Sequence, residues 1–259
     1  MKLIDLAITA ARAAGTVLRE PRENIVISHK GETDLVTQYD QRSEEIICGI
    51  LQSSGISILA EESGIIQQSD RDARWIIDPL DGTTNFSHYF PHYCVSIALE
   101  INGVLTLGVI YDPNRDELFQ AERGHGAFLN TRRLSVSTTP LLKDSLMLTG
   151  FAYDRQQRSE FYLHYFSHFI QKARGVRRCG SAALDLAYIA AGRADGFWEF
   201  NLKPWDVAAG ILLIREAGGF VSPLYPGENP LDGSLFAGGP SLEKELSATF
   251  VQLHQRPER

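Results

Sequence analysis

Residues 75–86 read WIIDPLDGTTNF, an apolar run that ends in two acidic residues three positions apart. A short apolar run bounded by chain breakers is typical of a buried strand, and Pro79 cannot join a strand ladder as a donor because it lacks an N–H. Asp78 and Asp81 would then lie at the strand end, just before Gly82 and two hydroxyl side chains. Carboxylate oxygens on a rigid scaffold are ligands that magnesium prefers. The stretch predicts a magnesium site, although Asp, Pro, Gly and Thr also form ordinary turns.

Two other acidic positions have a similar setting. Glu61 follows the short apolar run 56–60, and Asp206 follows Pro204 in the first turn of a predicted helix. Four carboxylates in one pocket would repel one another by roughly 3 kcal/mol per pair at about 5 Å and an effective dielectric of about 20. Such a cluster needs cations, and oxygen donors without His or Cys favour magnesium over zinc. Alternatively, the helix dipole could stabilise Asp206 without a metal, and Glu61 with Glu62 could be a solvated pair.

The composition is that of a globular protein, since 44% of the 259 residues are hydrophobic and 22% are charged. This length can bury a large core, and no stretch approaches the roughly 18 apolar residues of a membrane span. Asp5 interrupts the apolar N-terminus, which argues against a signal peptide. A formal net charge of −7 gives no general basic field for nucleic acid. The cluster Arg174, Arg177 and Arg178 is more typical of a solvated or partner-paired patch.

The three cysteines, Cys48, Cys94 and Cys179, show no paired spacing. Their odd number and scattered contexts argue against a disulfide framework and for a reducing cytoplasm. Cys94 lies inside an apolar run and is expected to be a small buried hydrophobe. No base or helix terminus is evident beside any of the three, which disfavours a reactive thiol.

The hydrophobic pattern predicts a mixed chain in which an antiparallel sheet is followed by alternating strands and helices. Asn102 and Gly103 join two apolar runs and are the strongest short hairpin signal, whereas the polar stretch 64–73 is predicted to be a loop. Helices are predicted through residue 20 and over residues 37–53, 155–172, 181–191, 204–217 and 242–254. Strands are predicted over residues 24–28, 56–60, 75–77, 95–101, 104–111, 117–121, 145–149, 175–178, 196–200 and 235–237. This order indicates α and β layers in one compact unit over residues 1–259, with packed subdomains at about 1–140 and 141–259.

Four motifs in their order resemble those of the inositol monophosphatase family. They are the Asp-Pro-hydrophobic-Asp-Gly-Thr string at 78–83, Ala-Glu-Glu-Ser at 60–63, PWDVAAG at 204–210, and Asp-Leu-Val-Thr at 34–37 followed by Asp40. The resemblance spans roughly residues 34–219. It implies a layered α-β-α-β-α sandwich, a magnesium-dependent and lithium-sensitive sugar phosphatase, and a homodimer.

The resemblance also implies a role for each residue of the site. The implied metal ligands, for two or three Mg²⁺ ions, are Glu61, Asp78, the backbone carbonyl of Leu80, Asp81 and Asp206. The implied catalytic residues are Glu61 and the pair that polarises the attacking water, Thr83 and Asp40. The implied substrate contacts are Gly82, Thr83, Thr84, Ser181, Ala182, Glu199 and Asp206. Lys30 is the nearest match to a family lysine, although its spacing from the first motif differs.

The predicted reaction is hydrolysis of a small polyol phosphate monoester, first of all inositol 1-phosphate, by in-line attack of a metal-activated water. Glu199 favours a polyol because a carboxylate accepts from two adjacent hydroxyls, although it could also be a polar residue on an open strand face. Fructose 1,6-bisphosphate, histidinol phosphate and 3′-phosphoadenosine nucleotides remain alternatives on the same scaffold, and Trp198 could stack on a base. A further alternative is a non-catalytic regulatory binding protein that keeps the scaffold.

Overall fold

The structure is a computed structural model that describes residues 2–21, 25–29, 35–68 and 70–254. Two β-sheets of unequal size, with helices on their faces, make up most of the described chain. The α-helices are Leu3–Leu18 (α1), Gln38–Leu51 (α2), Thr83–Ser87 (α3), Ser159–Lys172 (α4), Ala182–Ala190 (α5), Pro204–Glu216 (α6) and Glu243–His254 (α7).

The strands of the larger sheet come mainly from the first half of the chain. A short antiparallel pair, Ile27–His29 (β1) and Leu35–Thr37 (β2), precedes it. The larger sheet contains Ile56–Ala60 (β3), Gly64–Ile66 (β4), Asp70–Asp81 (β5), Cys94–Ile101 (β6), Val104–Asp112 (β7), Glu117–Glu122 (β8), Gly126–Leu129 (β9) and Arg132–Arg133 (β10). Their order across the sheet is β10-β9-β8-β7-β6-β5-β3-β4, in which β3 and β5 are parallel and the other neighbours antiparallel.

The smaller sheet comes from the second half of the chain. Its strands are Leu146–Thr149 (β11), Gly175–Arg177 (β12), Gly196–Glu199 (β13), Phe220–Pro223 (β14) and Leu235–Gly238 (β15). Their order is β12-β11-β13-β15-β14, with β11 parallel to both of its neighbours. The predicted subdomain boundary near residue 140 falls between the two sheets, and as a statement about separate units it stays a prediction.

Alternating side chains give the larger sheet two buried faces. Successive strand residues point to opposite sides, so Trp75 and Ile77 pack with α1 and α2, whereas Ile76 packs with α5 and α6. The smaller sheet covers the other side of α5 and α6, and its outer face packs against α4 and α7, where Phe169 stacks on Trp198 at a centroid distance of 4.0 Å. The layer order is therefore α-β-α-β-α, which confirms the predicted sandwich.

A β-bulge in β5 sets the direction of the acidic side chains. Asp78 pairs with Ser96 of β6, yet Asp81 pairs with Cys94, so β5 carries one extra residue between these pairs. In a regular strand, residues three apart point to opposite faces, but an extra residue reverses the alternation beyond it. Leu80 therefore packs with the α1 and α2 side, and Asp81 turns to the face that Asp78 shares with α5 and α6. Pro79 lies inside the bulge, where no ladder N–H is needed.

Most predicted elements are confirmed, with β3 matching at both ends. The loop prediction for residues 64–73 is wrong, because β4 pairs with β3 there and β5 already begins at Asp70. The predicted strand at 24–28 lies slightly too early, since β1 covers Ile27–His29 and residue 24 lies outside the described residues.

Within the described ranges, no helix is long and apolar enough to cross a membrane. All three cysteines are free, and Cys94 is fully buried as predicted.

Replacing Gly108 with alanine tests the close contact between β7 and α6. A Cβ atom at this position would lie 2.9 Å from the backbone oxygen of Ala209. Because a helix backbone cannot move aside as a side chain can, we expect Gly108→Ala to lower the free energy of unfolding by about 1–3 kcal/mol. Urea unfolding measures this change.

Gly49→Ala is the matched control for that experiment. Gly49 lies on the exposed side of α2, where nothing in the described part of the chain comes within 4 Å of an added Cβ. We expect this variant to gain up to about 1 kcal/mol, because alanine is the better helix former. Equal loss of stability in both variants would contradict the proposed contact.

Candidate metal centre

Asp78, Asp81 and Asp206 meet where β5 ends beside the first turn of α6. Each offers one carboxylate oxygen, and these oxygens lie within 4.8 Å of one another, with Asp78 buried and the other two half-buried. The β5 bulge supplies two members of this group, and Pro204 starts the helix that supplies the third, two residues later. The structure thus brings together three of the four predicted acidic ligands as one group that could hold a metal ion.

Backbone donors orient two of these carboxylates. Oδ1 of Asp78 accepts the N–H of Leu80 at 2.9 Å, which closes a tight turn within the bulge. Oδ2 of Asp206 accepts the N–H of Lys203 at 2.6 Å, just before α6 begins. The helix-capping alternative for Asp206 is therefore compatible with a role as ligand, because one oxygen caps the helix while the carboxylate faces the other acids.

Asp81 is anchored by the segment that starts α5. Its Oδ2 accepts the hydroxyl of Ser181 at 2.6 Å and the N–H of Ala183 at 2.7 Å. The thiol of Cys94 lies 3.9 Å from the same oxygen. Ser181 is buried, so its hydroxyl serves the acidic group, and its predicted contact with substrate stays a prediction together with that of Ala182.

Burial raises the pKa values of all three acids, and repulsion between carboxylates adds to this effect for Asp78 and Asp206. Burial is the largest cause for Asp78, whose pKa lies well above its ordinary value, and the charge of Glu61 is the next. Burial and then the charge of Asp81 raise the pKa of Asp206 well above its ordinary value. For Asp81, burial outweighs the hydrogen bonds from Ser181 and the start of α5, so its pKa is also raised. A divalent cation would relieve this repulsion, and all the donors here are hard oxygens, as Mg²⁺ requires.

Glu61 follows the end of β3, beside the same group. Its charge contributes to the raised pKa values of both Asp78 and Asp206. The turn that carries it is held by the buried Glu44, which accepts the N–H of Glu62 at 2.8 Å and the N–H of Ser63 at 3.0 Å. Glu44 thus holds the turn that positions Glu61, and the predicted place of Glu62 outside the ligand set stays a prediction.

Thr83 and Asp40 form a hydrogen-bonded pair next to the acidic group. The Thr83 hydroxyl lies 2.9 Å from Oδ1 of Asp40 and 3.1 Å from the carbonyl oxygen of Leu80, either of which can accept its proton. The other oxygen of Asp40 accepts the N–H and hydroxyl of Thr37 at 2.7 and 2.6 Å. Burial nevertheless outweighs these hydrogen bonds and raises the pKa of Asp40. Asp34 and Lys30, the other predicted residues of this region, lie outside the described residues.

The turn between β5 and α3 depends on Gly82. Its φ of 99° is in the left-handed region, and an added Cβ would lie 3.1 Å from the backbone oxygen of His92 and 3.3 Å from that of Gly180. Both the backbone conformation and the space therefore require glycine. Thr84 lies in the first turn of α3, where the first N–H groups of a helix have no partner within the helix.

The predicted substrate residue Glu199 lies at the end of β13, close to the acidic group. It is buried, and its carboxylate packs over Gly150. Burial raises the pKa of Glu199 well above its ordinary value, the charge of Asp185 adds to this, and Arg178 opposes it. The charges of Asp206 and Asp81 also contribute, so Glu199 lies near the acidic group. The open-face alternative for Glu199 is wrong, because this strand end is covered.

Several residues of this region were not predicted from the sequence. Glu44 anchors the turn of Glu61, and Asn85 joins the turn after Gly82 to the backbone at Cys179, whose oxygen accepts the Asn85 amide at 2.8 Å. Asp185 is buried in α5. The one sequence signal for it is that an acid stands among the apolar residues of this helix. The prediction that no base lies near any cysteine is wrong for Cys179, which meets a histidine distant in sequence.

The basic cluster near residue 175 is partly paired. Arg174 forms an ion pair with Asp144 at 2.8 Å, and Arg177 donates to the backbone oxygen of Val176. Arg178 lies near the pocket, because its charge lowers the pKa of both Asp185 and Glu199. The cluster therefore includes a partner-paired arginine, as predicted, and one arginine that belongs to the surroundings of the site.

Comparison with known proteins identifies the family. The inositol monophosphatase family matches residues 1–255. An inositol-1-monophosphatase of Mesorhizobium japonicum is 46% identical over 250 residues, 94% of each chain, and the Nus factor SuhB of Escherichia coli is 44% identical over 254 residues, 96% of this chain and 95% of the relative. The extragenic suppressor protein suhB of Bartonella henselae has a TM-score of 0.91 at 44% identity, over 96% of this chain and 98% of that one. This chain belongs to the inositol monophosphatase family.

Proposed function

We propose that this protein hydrolyses the phosphate monoester of a small polyol in a magnesium-dependent reaction, with inositol 1-phosphate as the first candidate. The observation that carries the proposal is the grouping of Asp78, Asp81 and Asp206 next to the Thr83–Asp40 pair. The two features share one short turn, since the carbonyl of Leu80 lies between them and is within reach of the Thr83 hydroxyl. A family member named inositol-1-monophosphatase, 46% identical to this chain, supports the same reaction class.

The residues that would hold magnesium are Asp78, Asp81 and Asp206, with Glu61 and the carbonyl of Leu80 completing the set. Magnesium bound there supplies positive charge that activates a water and stabilises the leaving oxygen. The protein contributes the geometry, because backbone and hydroxyl donors fix the carboxylates before any cation arrives. A preformed group of this kind avoids the cost of ordering flexible side chains during binding.

Thr83 and Asp40 would orient and polarise the attacking water. The Asp40 carboxylate accepts a hydrogen bond from the Thr83 hydroxyl, which leaves the lone pairs of the Thr83 oxygen to accept a hydrogen bond from water. Thr37 holds Asp40 in place through two short hydrogen bonds. The raised pKa of Asp40, caused by burial, keeps it a better base than an exposed aspartate.

The turn at Gly82 would receive the phosphate group. Backbone N–H groups at the start of α3, from Gly82, Thr83 and Thr84, are available to phosphate oxygens in the way that helix starts commonly bind anions. Glycine at position 82 allows the backbone itself to approach the phosphate. The phosphorus would then lie between this turn and the acidic group, as in-line attack by a water held at Thr83 requires.

Glu199 would bind the alcohol part of the substrate. Burial raises the pKa of its carboxyl group, so the ionised form gains most when polyol hydroxyls donate to it. A small polyol with adjacent hydroxyls fits this acceptor better than a nucleobase does, because Trp198 is buried in a stack with Phe169 and not exposed for stacking. This arrangement favours inositol phosphates over 3′-phosphoadenosine nucleotides.

A regulatory binding function is the second candidate. It is favoured by the 44% identical Escherichia coli relative that carries the name Nus factor. Magnesium-dependent phosphate release separates the two functions: no release from inositol 1-phosphate, fructose 1,6-bisphosphate, histidinol phosphate or a 3′-phosphoadenosine nucleotide would favour the binding function.

The predicted homodimer and lithium sensitivity can be tested on the same sample by light scattering and by inhibition with lithium chloride.

The variant Asp81→Asn tests the metal centre. Asparagine still accepts the hydrogen bonds from Ser181 and Ala183 through its carbonyl oxygen, but it removes one buried negative charge. We expect magnesium-dependent turnover to fall at least about 100-fold, while the metal-free protein gains on the order of 1–3 kcal/mol in unfolding free energy because repulsion is relieved. Phosphate release and urea unfolding measure these effects. The exposed Asp5→Asn variant on α1 is the control.

The pH dependence of stability tests whether repulsion between carboxylates causes the difference in unfolding free energy between the wild-type protein and Asp81→Asn. Because burial raises the pKa of Asp78 and Asp206, their contribution to stability is present at low pH and is lost as the pH rises through the raised values. The metal-free wild-type protein should therefore lose stability from about pH 4 upward, less so in Asp81→Asn, and saturating magnesium should reverse the loss. If magnesium does not change the unfolding free energy of the wild-type protein at neutral pH, the proposed site is contradicted.

The variant Thr83→Val tests the water-orienting pair. Valine has nearly the shape of threonine but cannot donate to Asp40, so we expect kcat at saturating magnesium to fall roughly 10²- to 10⁴-fold. Thr83→Ser keeps the hydroxyl and should retain most activity. Thr16→Val on α1, which removes a surface hydroxyl bonded to the carbonyl of Arg12, should not change kcat. Full activity of Thr83→Val would exclude the proposed role.

The variant Glu199→Gln tests the alcohol side of the pocket. Removing the charged acceptor should lower kcat/KM for inositol 1-phosphate roughly 10- to 100-fold, as expected for loss of a charged hydrogen bond. Hydrolysis of 4-nitrophenyl phosphate, which lacks hydroxyls to donate, should change little. Steady-state kinetics with both substrates measure the difference. An equal loss for the two substrates would assign Glu199 to the metal centre instead of substrate selection.

A further inference from the structure

Three side chains of different chemistry meet beside the start of α5. His92 precedes β6, Cys179 precedes α5, and Asp185 lies in the first turns of α5. Their ligand atoms lie within 4.8 Å of one another, and Nε2 of His92 is 3.2 Å from Oδ1 of Asp185. His92 and Asp185 are buried, whereas Cys179 is half-buried and therefore partly exposed to solvent.

The donor set of this cluster differs from that of the metal centre. Thiolate sulfur, imidazole nitrogen and one carboxylate oxygen are ligands for zinc and cobalt, whereas magnesium takes oxygen ligands. Three protein ligands with a remaining open position match the usual tetrahedral arrangement of such ions. At metal–ligand distances of about 2.0–2.3 Å, neighbouring ligand atoms lie roughly 3.5 Å apart, so the cluster needs to contract by only about 1 Å.

The backbone that carries two of these ligands is held in place. The side-chain amide of Asn85 donates to the backbone oxygen of His92 at 2.7 Å and to that of Cys179 at 2.8 Å. One side chain therefore joins the two segments, although they are far apart in sequence. Asp185 is fixed by the helix, whose backbone N–H at this residue donates to the oxygen of Ser181 at 3.0 Å. The three ligands thus come from a rigid frame.

The charges around the cluster allow a cation to bind. Burial raises the pKa of Asp185 to about 6, partly offset by His92, and burial with Asp185 raises the pKa of Cys179 to about 11. Without a cation the thiol is therefore protonated, and a metal ion would displace that proton. Arg178 is the neighbouring positive charge that opposes binding, and the negative charge of Asp81 favours it, because both act on Asp185.

We propose that His92, Cys179 and Asp185 form a second cation site that binds Zn²⁺ or Co²⁺ and is separate from the magnesium centre. A cation here would lie near Asp81, whose charge acts on Asp185, and the charge of the cation would weaken the attraction of the Asp81 carboxylate for magnesium. The site is thus expected to make the protein sensitive to zinc. Binding at this site does not depend on whether the protein hydrolyses phosphate esters.

Cobalt provides a direct probe of the site, because a thiolate bound to Co²⁺ gives an intense charge-transfer band in the near ultraviolet. The protein is titrated with Co²⁺ in saturating magnesium, which occupies the oxygen ligands of the metal centre, and the titration is extended to high Co²⁺ because bound magnesium weakens Co²⁺ binding by the same factor. We expect the band to saturate at about one Co²⁺ per chain and Zn²⁺ to abolish it by displacement.

Cys179→Ser is the decisive variant, and Cys48→Ser is its matched control. Cys48 is also a free cysteine but lies in the α1 and α2 layer, in a different core cluster. The band should persist in Cys48→Ser and vanish in Cys179→Ser, whose Zn²⁺ affinity should fall roughly 100-fold or more. Near-ultraviolet circular dichroism of the metal-free variants checks that both retain the native fold.

Two outcomes would overturn the proposal. Absence of the band in the wild-type protein would mean that the three side chains are only a hydrogen-bonded packing cluster. A band that survives in Cys179→Ser would assign the bound cobalt to the other thiol near the acids, Cys94, whose sulfur lies 3.9 Å from Asp81. Loss of the band in His92→Gln as well as in Cys179→Ser would support the proposed ligand set.

Discussion

The extra residue in β5 is the constraint on which the acidic group depends. Without the bulge, Asp78 and Asp81 would point to opposite faces of the larger sheet, one of them into the layer of α1 and α2. With it, both face the start of α6, and Leu80 takes the core position that a regular strand would give to an acid. A single change of register thus separates an apolar layer from a pocket with three carboxylates. Pro79 is compatible with this register because the bulge needs no ladder donor there.

Grouping these acids costs stability, and the surrounding structure offsets part of that cost. Buried like charges are unfavourable, which is why burial and repulsion raise the pKa values of Asp78 and Asp206. Hydrogen bonds from Leu80, Ser181 and Lys203 hold the carboxylates in position and favour their ionised forms. At Gly108, β7 lies in close contact with the backbone of α6, the helix that carries Asp206. A site of this kind is a strained arrangement that a large core can support.

Local patterns predicted much of the fold, and pairing between distant residues explains what they missed. The strand β3 and the helix α2 follow from apolar periodicity, and Thr37 begins α2 with a capping box. The short strand β4 has no strong pattern of its own and exists because it pairs with β3. The bulge likewise depends on β6, and Glu44 acts on a turn 18 residues away. The acidic residues of this group were predictable because family motifs mark them, whereas the residues that anchor them are marked by no motif.

The segment at residues 179–185, where α5 begins, contributes residues to both proposed cation sites. Ser181 and Ala183 fix Asp81 from one side, while Cys179 and Asp185 flank the same segment and face His92. Any movement that drew Cys179 and Asp185 together around a cation would also shift the donors that orient Asp81. Electrostatic repulsion between the cations would act in the same direction as this displacement. Zinc sensitivity should therefore be competitive with magnesium, and kinetics at several magnesium concentrations would separate this mechanism from a simple loss of folded protein.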